Sequence, residues 1–162
     1  MSKIKLLILS LFSFYLSACV TNRLSDYQYK VGYIGGGVDG LIYSNYLNSY
    51  LKSLNMFSSE SAFSIDTSIN HKQKVFITNV NNTSDREMVT STIVAKVNDN
   101  NQGCNVLEYK DEVQQYYVIA SNINFTSNTK ALESIKKNNA EILTKQMVYY
   151  LSTIKNFDCI NE

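Results

Sequence analysis

The chain has 162 residues, and its 15 Lys and Arg against 14 Asp and Glu give a formal net charge of only +1. That balance excludes a nucleic-acid binder, whose footprint is a strongly basic domain. One histidine and three cysteines leave no ligand cluster for a metal centre. Twelve tyrosines, with no proline and no tryptophan, suit a sheet-rich domain built on one core.

Lys3 and Lys5 open the chain, and residues 6–16 form an apolar run broken only by Ser10 and Ser13. The run is too short to span a bilayer as a helix, and the order of charge, apolar run and small residues reads as a secretory signal peptide. Leu16-Ser17-Ala18-Cys19 resembles the lipobox of bacterial lipoproteins, which implies cleavage before Cys19 and diacylation of its thiol. An ordinary signal peptide whose cysteine enters a disulfide is the alternative. The expected organisation is a signal peptide over 1–18, a lipidated tether over 19–26 and one α+β domain over 27–162. Loss of Lys3 and Lys5 with the signal leaves 144 residues with a net charge of about −1, enough chain for a sizeable core.

Tyr27, Tyr29, Val31 and Tyr33 alternate as a half-buried strand. Gly35-Gly36-Gly37 interrupts it, and Asp39 is placed to cap a helix beginning near Gly40 or Leu41. Leu41, Ile42, Leu47, Tyr50, Leu51 and Leu54 recur at helical steps to about Asn55. From Ser61 the period becomes two, through Phe63, Ile65, Thr67 and Ile69. Asn70-His71-Lys72-Gln73 reads as a loop, and residues 74–80 as a further strand. Asn81-Asn82-Thr83-Ser84 is a turn signal. Val89, Ser91, Ile93, Ala95 and Val97 alternate next, and residues 99–103 turn the chain again. Residues 104–125 then extend, with Val113, Tyr117, Ile119, Ile123 and Phe125 favouring one face. A final helix is expected from a Thr129 cap to Ile154, with Leu132, Ile135, Ile142, Leu143, Met147, Tyr150, Leu151 and Ile154 as its stripe. The fold class is therefore α+β: an antiparallel sheet of about four strands, two helices on one face, in the order β-α-β-β-β-α.

An exported chain sits where disulfides persist. A bridge between Cys104 and Cys159 would close a loop of about 55 residues and contribute roughly 4 kcal/mol; two part-buried thiols are the alternative.

Gly35-Gly36-Gly37-Val38-Asp39-Gly40, with Glu60 beyond it, formally matches a dinucleotide-binding fingerprint. That fingerprint needs a parallel βαβ unit, whereas the chain after Ser61 reads as antiparallel hairpins, and the lipobox implies a place outside the cytoplasm, away from the dinucleotide pool, so no cofactor is expected. His71 reads as a solvated loop residue, without a Ser, Cys or Asp placed to form a nucleophile–base set. Lys72, Lys74, Arg86 and Lys110 are the candidate ligand contacts. Gathered at one end of a sheet, they could hold phosphates through charge-assisted hydrogen bonds; solvated edge charges are the competing account.

The layout, with Arg86-Glu87-Met88-Val89-Thr90-Ser91-Thr92-Ile93-Val94-Ala95-Lys96-Val97-Asn98-Asp99 as one strand and Tyr116-Tyr117-Val118-Ile119-Ala120-Ser121-Asn122 before the last helix, resembles the LPS-assembly lipoprotein (LptE) family. Val20-Thr21 stand where that family often has Gly-Phe. The resemblance implies a non-enzymatic lipoprotein on the periplasmic face of the outer membrane, plugging a large β-barrel translocon, assisting its assembly and binding lipopolysaccharide. Val20 after Cys19 agrees with outer-membrane sorting. An auxiliary lipoprotein of an ABC-type lipid transporter is the nearer alternative, and a lipid-anchored hydrolase the more distant one.

Overall fold

The computed structural model describes residues 25–77, 84–119 and 125–160. Cys19 and the signal peptide lie outside them, as do residues 78–80 and 120–124 of the expected extended segments and most of the turn before Ser84.

The elements are β1 (Tyr29–Gly35), α1 (Gly37–Ser53), β2 (Phe63–Ile77), β3 (Ser84–Asp99), β4 (Cys104–Val118) and α2 (Phe125–Thr153). They form one four-stranded sheet in the order β1-β2-β3-β4 with two helices, so the fold is α+β in the expected order. β2, β3 and β4 are an antiparallel meander, whereas β1 runs parallel to β2, from Tyr29↔Phe63 to Gly35↔Ser68. The sheet is thus mixed. Helix α1 is the cause, because a crossover returns the chain to its starting end and so restores the strand direction.

Period-two alternation decides the faces. Ile65, Ile69, Val89, Ile93, Ala95 and Val97 point to the helices and are buried, together with Tyr43, Leu47 and Leu51 of α1 and Leu143, Met147, Val148 and Leu151 of α2. The even-numbered positions of β2 and β3 occupy the other face, which no helix covers among the described residues.

Three expected elements differ. β2 does not break at residues 70–73: Asn70, His71, Lys72 and Gln73 pair in register with Thr92, Ser91, Thr90 and Val89. Turn propensity there is worth less than the ladder bonds and side-chain packing of a long hairpin. Helix α1 begins at Gly37, its cap is Gly36 with φ 113° and no side-chain cap, and Asp39 lies inside the first turn. A Cβ on Gly40 would stand 2.6 Å from the Gly35 carbonyl oxygen, so the bare glycine lets α1 lie on β1. That contact sets the helix rotation. It buries Gly40, Tyr43, Leu47 and Leu51 and leaves Leu41 67% exposed. Helix α2 begins at Phe125, one turn before Thr129; Leu143, Met147 and Leu151 of the expected stripe are buried, together with Asn139 and Thr144, whereas Tyr150 is exposed.

One end of the sheet gathers both ends of the described chain. Cys104 and Cys159 are disulfide-bonded, with Cα atoms 5.7 Å apart. Phe157 packs on Tyr27 and Phe63 with ring centroids at 4.7 and 4.9 Å, and the Tyr27 hydroxyl donates to the Lys155 carbonyl at 2.9 Å.

Candidate functional site

Continuous pairing of β2 turns His71 toward the helices, and it is not the solvated loop residue that composition suggested: its side chain is only 3% exposed. His71 Nδ1 meets Ser91 Oγ at 2.6 Å, Asn139 Nδ2 donates to the same oxygen at 2.8 Å, and His71 Nε2 lies 3.9 Å from Asp39 Oδ2. Lys136 Nζ holds that carboxylate oxygen at 3.3 Å. Desolvation lowers the His71 pKa below its ordinary value; the Asp39 charge opposes this and Lys136 adds to it. A cleft of about 330 Å³ opens over the group, lined by Val38, Asp39, Ile42, His71, Glu133 and Lys136 among others.

An aspartate, a histidine and a serine are thus brought together through space, which no local spacing could show. They do not make a nucleophile set. Ser91 is fully buried, so no reacting atom can approach its oxygen, and 3.9 Å is beyond an orienting hydrogen bond. The group is a polar clamp between β2, β3 and both helices.

β1, α1 and β2 do form the parallel unit that was expected to be missing. The fit to a dinucleotide fails elsewhere. Glu60 precedes β2, at the end of that strand away from the glycines, whose neighbours are Ser68 and Ile69. Asp39 also supplies negative charge to the first turn of α1, where a pyrophosphate would need to sit. Among the described residues no group of three or more His, Cys, Asp or Glu is placed to hold a metal ion.

The uncovered sheet face is the candidate site. Lys72 is not in a loop; it and Lys74 are consecutive outward positions of β2, and Arg86 and Lys110 lie on the same face. Cross-strand rows run Arg86–Val118, then Lys74–Met88–Tyr116, then Lys72–Thr90–Gln114. Rows are about 6.7 Å apart along a strand. Three of the four cations are therefore neighbours, while Lys110 sits two rows further on, opposite Val94. There the face changes character. Glu112 accepts from Gln114 at 2.9 Å and from Thr92 at 3.1 Å, and Lys96 pairs with Glu108 at 2.8 Å. Those hydrogen bonds, then Lys110 and Lys72, lower the Glu112 pKa. The Arg86 end instead carries apolar surface, with Tyr116 57% and Val118 73% exposed. Basic charge near expected turns singles out all four cations but not their apolar neighbours, because a break at residues 70–73 would hide the rows.

No family model matches the chain, and no curated protein matches it by sequence. Solved structures share its fold. Rare lipoprotein B of Shewanella oneidensis superposes with a TM-score of 0.62 at 8% identity, over 76% of this chain and 94% of that one. A minor lipoprotein of Acinetobacter baumannii gives 0.60 at 12% identity, over 79% and 92%. A Caulobacter crescentus CB15 protein classed as a lipoprotein gives 0.58 at 17% identity, over 84% and 94%. The fold is one that bacterial lipoproteins carry.

Proposed function

We propose that the chain is a lipid-anchored, non-enzymatic lipoprotein that binds an anionic amphiphile on its uncovered sheet face. Lipopolysaccharide is the ligand, and the outer-membrane β-barrel translocon that exports it is the partner. One observation carries this reading. Arg86, Lys74 and Lys72 stand in consecutive rows, Arg86 opposite Val118 and Lys74 in the row of Met88 and Tyr116, so cations suited to phosphates adjoin apolar side chains suited to acyl chains. The lipoprotein fold and the lipobox at Cys19 support the anchor. The strand from Phe63, beside Tyr27, to Lys74 is ~36 Å long at about 3.3 Å per residue, so the cation rows lie at the opposite end of β2 from Tyr27.

Reversing charge at Lys72, Lys74 and Arg86 together is expected to weaken lipopolysaccharide binding, with a loss of salt dependence. Unchanged binding would sink the ligand assignment. Affinity purification of the tagged protein from membranes is expected to recover a large barrel; recovery of a transporter substrate-binding protein would favour the ABC-type alternative.

A further inference from the structure

The outer edge of β4 is guarded unevenly. At its start the C-terminal tail covers it, with the Ile160 N–H donating to the Asn105 carbonyl at 2.8 Å and Cys159 bonded to Cys104. In its middle Glu108, Lys110, Asp111 and Glu112 supply the charges that discourage strand pairing. The last stretch, residues 113–118 with Ile119 just beyond the strand, reads Val-Gln-Gln-Tyr-Tyr-Val-Ile and carries no charge. It is rich in β-branched and aromatic residues, and among the described residues β4 ends the sheet on that side. An uncharged, β-prone stretch on a sheet edge is a template for a further strand.

We propose that residues 113–119 pair antiparallel with the same residues of a second copy of the chain, giving one eight-stranded sheet. Charge selects this occupant and its register. Centred on Tyr116, the pairing sets Val113 opposite Ile119, Gln114 opposite Val118 and Gln115 opposite Tyr117, so it uses every uncharged position and opposes no like charges. Moving the centre toward the start of β4 brings Asp111 and Glu112 against the apolar end of the other copy. A contact of this kind is isologous and closes at two copies. Its two-fold axis stands perpendicular to the sheet, so both uncovered faces lie on the same side and their cation rows form one surface. The proposal goes beyond the amphiphile and translocon reading and does not depend on it.

The test uses the full-length lipidated protein in detergent, with micelles in excess over protein. Sedimentation is expected to show a concentration-dependent dimer, weakened at least tenfold by Tyr116→Lys and unchanged by Tyr149→Lys, a residue 69% exposed on α2. Tyr116→Cys is expected to cross-link two copies under mild oxidation, whereas Tyr149→Cys does not. Circular dichroism like that of the unchanged protein establishes that each variant is folded. A protein that stays monomeric at every concentration, or a dimer that Tyr116→Lys leaves intact, overturns the proposal.

Discussion

His71 and Ser91 face each other across the β2–β3 ladder, and their side chains meet at 2.6 Å on the face that the helices cover. Asn139 reaches down from α2 to the same hydroxyl. Two strands and a helix therefore share one hydrogen-bonded point inside a largely apolar layer. Removing the hydroxyl takes the 2.6 Å partner from the ring nitrogen and leaves the Asn139 amide only the Val89 carbonyl at 3.5 Å. Ser91→Ala is expected to destabilise the fold by about 1–3 kcal/mol, read as a shift of the urea midpoint at constant slope.

The same contact predicts a pH dependence. His71 has a folded pKa below its unfolded value of 6.5, chiefly through desolvation. The unfolded chain therefore takes up the proton first as pH falls. The neutral-ring contribution is fully present above about pH 6.5 and is lost as pH drops from there through the lower folded value. Asp39 and Lys136 face the ring with opposite effects. Denaturation midpoints measured from pH 7.5 to 5 are expected to fall, and His71→Gln is expected to flatten that slope.

At the alkaline end the sign reverses. Burial, aided by the hydrogen bond to Glu87, raises the Tyr117 pKa to about 12. Stability from this phenol is complete below its unfolded value near 10 and is lost as pH rises toward 12. Tyr117→Phe is expected to remove that part of the alkaline loss, measured as the change in midpoint between pH 9 and 11.

The Cys104–Cys159 bridge spans 55 residues and ties the tail that carries Phe157 to the start of β4. Replacing both cysteines with serine is expected to cost about 4 kcal/mol in the chain-entropy model. Thiol titration of the unfolded, unreduced protein is expected to find neither sulfur free. Titration of both would refute the bridge.

Gly40 is the sharpest backbone constraint. Gly40→Ala puts a methyl 2.6 Å from the Gly35 carbonyl, so α1 must move off β1, at an expected cost on the order of 1–3 kcal/mol. Gly37→Ala is a useful contrast. No atom lies within 4 Å of its Cβ, and only the strain of φ 60° remains, about 1 kcal/mol. Thermal midpoints of the two variants are expected to rank accordingly.

Sequence by itself determined the element order, the α+β class, the burial of positions such as Ile65, Ile93 and Val97, and the four cations. Each depends on periodicity or on residue type, which are local properties. It did not determine the direction of β1, since a strand's own pattern is blind to which way its neighbour runs. Nor did it determine the rotation of α1, where a bare Gly40 outweighed an apolar Leu41 by allowing closer approach to β1. Turn-prone residues 70–73 were drawn into β2 because β3 supplied a partner for every one of them. From that single change follow the burial of His71, its meeting with Ser91, and the alignment of Lys72, Lys74 and Arg86 with Tyr116 and Val118. Those relationships join residues far apart in the chain, and only the registry of the folded sheet brings them together.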